Sequence, residues 1–173
     1  MMGRIIIGGM LVFALIVGVA MYYLQVYAFY APVTAPRVQL VNLNTGAPED
    51  VAYAAFDGID SDSSPVRYRA CFTLDMSLAA LTETYVMADE AVPLLAPRWF
   101  DCFDAAQIGA DLEAGVALPF LGQKDVTYGI DRLVAVYPDG RAYAWNQINV
   151  CGEVVFDGDP VPEGCPPVPE SLQ

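Results

Sequence analysis

Twenty consecutive uncharged residues, Ile5 to Leu24 (IIIGGMLVFALIVGVAMYYL), separate a short amino-terminal stretch carrying Arg4 from everything that follows. At ~1.5 Å of rise per residue, a helix of that length spans ~30 Å, the hydrocarbon thickness of a bilayer, so the pattern predicts one transmembrane helix. Tyr22, Tyr23, Tyr27 and Tyr30 close the run, where amphipathic rings favour the head-group interface. Pro32 then opposes further helix. A cleaved signal peptide fits less well, because its apolar core would exceed the usual ~7–15 residues and the small-residue site Val33-Thr34-Ala35 is followed by Pro36. Ala14 and Gly18 are four apart on one helix face and are candidates for close packing against another transmembrane helix. The organisation expected is an anchor over residues 1–30 and a spacer over 31–37 with Pro32 and Pro36.

Beyond the spacer the period shortens. Val38–Leu43 reads as a first strand, and Asn44–Asp50, with Gly46 and Pro48, as a loop. Asp57–Pro65 (DGIDSDSSP) reads as a second polar loop. In Val66–Leu74, Val66, Tyr68, Ala70, Phe72 and Leu74 alternate with Arg67, Arg69, Cys71 and Thr73, a strand with one apolar face. Asp75 and Ser77 can cap a short helix bearing Leu78, Leu81 and Tyr85. Asp104-Ala105-Ala106-Gln107 has capping-box form for a second helix, with Ile108 and Leu112 inward and Gly115 ending it. Val116–Leu121 follows as a strand, and Ile130–Tyr137 and Ala142–Asn149 flank the turn Pro138-Asp139-Gly140-Arg141 as a hairpin. The order predicts an α+β fold: an N-terminal transmembrane helix, then one small domain (38–156) with a mostly antiparallel sheet and two short helices. Residues 157–173 form a Pro- and Gly-rich tail that Cys165 would pin to the domain.

From Ala31 onward, seven basic residues face 21 acids, a net charge of −14. Such a field repels phosphate backbones and anionic head groups, which argues against nucleic acid and for a basic partner. A plainer reading is that the charge keeps an exported domain soluble. All four cysteines, Cys71, Cys102, Cys151 and Cys165, lie beyond the apolar run, and an even count there suits two disulfides in an oxidising compartment. Three pairings are open, and spacing alone does not choose among them. The pairing expected is Cys71 with Cys102 and Cys151 with Cys165, the second closing a short loop. Arg4 and the amino terminus ahead of the helix, against Arg37 behind it, favour a cytoplasmic N-terminus and a periplasmic domain.

Candidate chemistry is sparse. Histidine is absent, which removes histidine relays, histidine-ligated metals and imidazole switches. No phosphate loop, nucleophile elbow or dinucleotide fingerprint occurs. Lys124, the single lysine, falls in a polar stretch read as a solvated turn. Asp57, Asp60 and Asp62 suggest calcium, but in register with an EF-hand loop Pro65 stands at the glycine position and Cys71 at the final glutamate, leaving only an irregular calcium loop. Trp99, Phe100, Tyr137, Tyr143 and Trp145 read as core aromatics.

The segments MYYLQVYAFY, SSPVRYRACF, RWFDCFDA, GIDRLVAVYPDGRAYAWNQIN and CGEVVFDG together resemble an uncharacterised alphaproteobacterial family of small single-pass membrane proteins with a domain of unknown function. The resemblance spans nearly the whole chain and implies no activity, cofactor or catalytic residue. The tethered domain, the missing catalytic set and the acidic surface lead to the expectation of a non-catalytic function: an accessory, assembly or structural subunit of an inner-membrane complex, partnered by another membrane protein or a basic periplasmic protein. A tethered ligand- or cation-binding module is the alternative, and no cofactor or metal is assigned.

Overall fold

The structure is a computed structural model describing residues 2–170. It divides into two compact units that meet at Ala31 and Pro32. In the first, α1 (Met2–Tyr23) runs into a π-helical turn over Leu24–Ala28. Residues 3–28 form a helix long and apolar enough to cross a membrane, and none of it is buried by protein. A helix apolar on every side cannot choose a face for a soluble core, and its exposure fits a membrane anchor.

A two-residue strand β1 (Ala31–Pro32) lies at the boundary, and the second unit contains β2 (Gln39–Val41), β3 (Pro48–Asp50), β4 (Tyr53–Asp60), β5 (Arg69–Leu74), α2 (Leu78–Thr84), α3 (Ala105–Glu113), β6 (Leu118–Thr127), β7 (Ile130–Val136), β8 (Arg141–Ile148) and α4 (Val150–Phe156). The main sheet has the order β1-β4-β5-β8-β7-β6, and β2 and β3 form a separate two-stranded sheet. The β4–β5, β5–β8, β8–β7 and β7–β6 pairings are all antiparallel. The architecture is thus an apolar N-terminal helix followed by a mostly antiparallel α+β domain.

Local chemistry sets the element ends. Ser77 accepts from the Ala80 amide at the start of α2, and Asp104 accepts from the Ala106 and Gln107 amides at the start of α3, so each relieves helix-end donors that would otherwise be unpaired. In the β7–β8 turn, Gly140 has φ +87° and a Cβ there would stand 2.6 Å from the Leu74 carbonyl. Only glycine meets both conditions.

Strand register explains how the core divides. Ala70 pairs with Ala144, Ala144 with Val134 and Val134 with Phe120, and these share one core with Val38, Leu40, Leu81 and Tyr85 from β2, α2 and their flanks. On the opposite face Arg69 pairs with Trp145 and Trp145 with Leu133. That face is covered by the irregular chain before α3 and by α3 itself: Phe103 packs edge-on against Trp145 and Tyr143, and Cys71 is bonded to Cys102. The second disulfide joins Cys151 to Cys165.

Several expectations need correction. The residues read as a polar loop from Asp57 begin inside a strand, since β4 extends to Asp60. Its apolar pattern is interrupted by a bulge at which Ala55 takes φ +50°. Part of the first predicted loop is β3. The face of β5 opposite its apolar one, on which the sequence was silent, is also covered: Arg69 is 4% exposed, because the segment over 94–102 lies on it. The strand expected to end at Leu121 continues as β6 to Thr127, carrying Lys124 with it. Asn149 caps a further helix, α4, by accepting from the Gly152 amide. Residues 171–173 of the expected tail lie outside the described residues.

Arg69 donates from Nε to the Leu94 carbonyl at 2.8 Å, from one Nη to Val66 at 2.8 Å and Tyr68 at 2.6 Å, and from the other Nη to Leu95 at 3.1 Å. Each buried acceptor left unpaired costs ~1–3 kcal/mol, so Arg69→Met is expected to destabilise the domain by about 3 kcal/mol or more. The urea midpoint, followed by tryptophan fluorescence, measures this, and residues 90–98 should become the first protease-sensitive site.

Tyr137 donates to Asp111 Oδ2 on α3 at 2.7 Å. Burial, then the hydrogen bond to the Asp111 carboxylate, pushes its hydroxyl well above the ordinary tyrosine range. The unfolded chain releases this proton at ordinary tyrosine pH, so the stability linked to Tyr137 is fully present below ~pH 10 and declines as pH rises above it. Tyr137→Phe should flatten that alkaline decline in a pH series of unfolding curves, while lowering stability at neutral pH by ~1 kcal/mol.

Candidate functional site

The α3 side of the sheet is not covered along its whole length. Trp145 lies beneath Phe103, but towards the ends of β7 and β8 the cover gives way to a groove of about 470 Å³. Its floor is Leu121, Leu133, Asp131 and Gln147. Leu121 faces Leu133 and Asp131 faces Gln147 across the ladder, so strand alternation puts all four side chains on the same face.

Two chain segments wall the groove. On one side residues 86–90 leave α2 and run antiparallel beside β6, with Met87 bridged to Phe120, the Leu121 amide donating to the Val86 carbonyl at 2.9 Å and the Ala88 amide to Pro119 at 3.0 Å. Gln147 then holds the next turn of chain: its Oε1 accepts from the Val92 amide at 2.8 Å and its Nε2 donates to the Glu90 carbonyl at 3.3 Å. On the other side stand Ile148, Val150 and Glu153.

The second wall is fixed by a polar node under α4. Asn149 receives the Gly152 amide at 3.0 Å on its side-chain oxygen, donates from its amide nitrogen to Asp131 Oδ1 at 2.8 Å and Asp125 Oδ1 at 3.2 Å, and donates its backbone N–H to the Gly129 carbonyl at 2.9 Å. Asp131 Oδ1 also accepts from the Asp125 amide at 2.8 Å. One asparagine thus caps α4, joins it to the β6–β7 turn and holds two carboxylates side by side. Gly129 and Gly152 pack backbone to backbone, and the Cys151–Cys165 bond lies next to this contact. Tyr128 hydroxyl donates to the Pro166 carbonyl at 3.1 Å, fastening the tail beyond the bridge.

The groove therefore combines a rigid frame with two kinds of surface. Met87, Ile148 and Val150 are 43%, 43% and 65% exposed, an apolar lip that internal packing does not account for. Around it stand the carboxylates of Asp89, Glu90, Asp131 and Glu153 and a single cation, Lys124. Among the described residues no ion pair joins Lys124 to any of these acids. Such a site can bury apolar groups and attract positive charge.

The other residues singled out from sequence lie elsewhere. Asp60 and Asp62 border a shallower hollow of about 380 Å³ that also holds Arg132. The Arg132 guanidinium lies 3.6 Å from the centroid of the Tyr68 ring, and its Nε donates to Asn146 Oδ1 at 3.0 Å. Asp57 is exposed on β4 and does not line that hollow. Of the three aspartates only Asp60 and Asp62 line this hollow, and they share it with the Arg132 side chain. No group of acids, cysteines or histidines suited to a metal ion occurs among the described residues. Trp145, Phe100 and Tyr137 are core residues. Ala14 and Gly18 lie on α1, where a Cβ at Gly18 would meet no atom within 4 Å.

Lys124 was visible in the sequence only as a solvated residue, and Met87, Asp89, Glu90, Ile148, Val150 and Glu153 carried no signal there. These positions come from three separate segments, and no spacing links them.

The model of a protein family described as "Family of unknown function (DUF6446)" matches residues 38–166, and the chain belongs to that family. No curated protein and no solved structure matches the chain.

A Cβ at Gly152 would overlap the Gly129 carbonyl and approach Gly129 Cα to 2.8 Å. Overpacking of this kind costs ~1–3 kcal/mol. Gly152→Ala is expected to lower the thermal midpoint and to loosen α4, read as faster amide exchange in residues 150–156 with the Cys71–Cys102 region unaffected.

Proposed function

We propose that this family member is a non-catalytic accessory subunit of an inner-membrane complex. In this reading α1 is its single-pass anchor, the N-terminus is cytoplasmic, and the stapled domain stands in the periplasm, as the resemblance to alphaproteobacterial chains suggests. The observation that carries it is the groove beside Lys124: apolar side chains are held exposed on a rigid, disulfide-bonded frame, where burial against a partner would recover ~25 cal/mol for each Å² of apolar surface removed from water. The unburied apolar helix supports a membrane location, and two disulfides support an oxidising compartment. The partner this favours is a membrane protein or a basic periplasmic protein. The groove volume of about 470 Å³ also suits a small molecule, which keeps a tethered ligand-binding module as the second reading.

Lys124 is the only lysine of the chain and lines the groove, so it reports on both location and docking. A membrane-impermeant, amine-reactive cross-linker applied to spheroplasts is expected to couple the full-length protein through Lys124 to one recurrent partner, and Lys124→Arg should abolish the adduct. Labelling only after lysis would overturn the orientation. Labelling of Lys124 in intact spheroplasts without any adduct would replace the subunit reading with the ligand-binding one.

A further inference from the structure

We propose that the groove takes a peptide segment of a partner protein that combines apolar side chains, basic residues and one carboxylate. This deepens the docking reading above and rests on it. The apolar component follows from Leu121 and Leu133 on the floor and Met87, Ile148 and Val150 on the lip, which an incoming apolar side chain would cover. The basic component follows from charge. Asp89, Glu90, Asp131 and Glu153 ring the same opening, on a domain whose net charge is −14 from Ala31 onward. A second copy of this chain, a nucleic acid or an anionic bilayer would each bring more negative charge to that ring, whereas lysine or arginine side chains would relieve it.

The carboxylate follows from Lys124. Lys124 lines the same groove as these four acids and makes no ion pair to any of them among the described residues. A uniformly basic segment would meet it with repulsion, so one acidic residue or a chain terminus opposite Lys124 completes the match. A pattern of like and unlike charges discriminates between partners better than a uniform field, because the wrong register sets like charges together. Asp89, Glu90 and Glu153 are exposed, and among the described residues no hydrogen bond engages their carboxylates, which leaves them to serve recognition. Asp131 is different: Asn149 and the Asp125 amide already hold it, and it supplies a fixed negative charge.

The test uses full-length protein in nanodiscs of zwitterionic lipid and fluorescent peptides of about eight residues. The probe alternates leucine with arginine and has one central glutamate; companions carry glutamine in place of that glutamate, or glutamine in place of every arginine. Fluorescence anisotropy gives the affinities. The probe is expected to bind most tightly. Asp89→Lys with Glu153→Lys should weaken it at least about tenfold, the range expected for losing and reversing two exposed charge contacts. Glu83→Lys with Glu113→Lys makes the same change of net charge on α2 and α3 and should alter affinity by less than about twofold. Lys124→Gln should remove the advantage of the glutamate-bearing probe over its glutamine companion. Ile148→Asp tests the apolar lip and should weaken all three peptides. Equal loss in the distal variant would show diffuse electrostatics and overturn the proposal. Equal binding of the arginine-free peptide would overturn it too. If no peptide binds while the Lys124 cross-link persists, this inference falls and the docking reading stands; if the cross-link is also absent, both fall.

Discussion

The domain depends on burying both faces of β5 at once. A strand in the middle of a sheet points alternate side chains to opposite sides, and here Ala70, Phe72 and Leu74 enter one core while Arg69 and Cys71 enter the other side. The first face is closed by ordinary apolar packing from β2, α2 and their neighbours. The second is closed by chain that has little regular structure of its own. Backbone laid over a sheet without a ladder or helix leaves its carbonyls without partners, and the guanidinium of Arg69 supplies the donors for Leu94 and Leu95. The Cys71–Cys102 bond fixes the same stretch covalently. A buried positive charge tolerates this place because its donors are engaged by carbonyls and its plane lies against Phe103, 5.8 Å from the ring centroid.

The groove results from the extent of that cover. Where Phe103 ends, the sheet face continues towards Leu133, Asp131 and Gln147 without a lid, and the flanking chain is held at its edges by hydrogen bonds rather than drawn across it. The two disulfides divide the work. Cys71–Cys102 secures the lid over the aromatic half of the face, and Cys151–Cys165, with the Gly129–Gly152 contact and Asn149, secures the wall at the other end. The opening is therefore a feature of rigid elements, which suits recognition because little ordering remains to be done when a partner arrives.

Under the proposed reading the anchor and the groove are complementary devices. A single apolar helix confines the domain to one surface and so raises its effective concentration near partners in the same membrane. The groove then supplies selectivity through the arrangement of its charges.

How much of this was readable beforehand follows the range of the forces involved. The apolar run from Ile5 to Leu24, the hairpin around Gly140 and the caps at Ser77 and Asp104 are local: each depends on residues within a few positions, and sequence alone determined them, along with the α+β class. The strand at Tyr53–Asp60 was obscured because its bulge breaks the period of two, and α4 because its cap, Asn149, looked like the end of a hairpin. The burial of Arg69 was not legible, since alternation marks two faces but cannot say that a segment more than twenty residues later will cover the polar one. The groove lay wholly beyond sequence. It is assembled from residues near 88, 122, 132 and 150, and it exists because a cover over one sheet face stops short of the strand ends, a property of packing in three dimensions that no stretch of the chain encodes by itself.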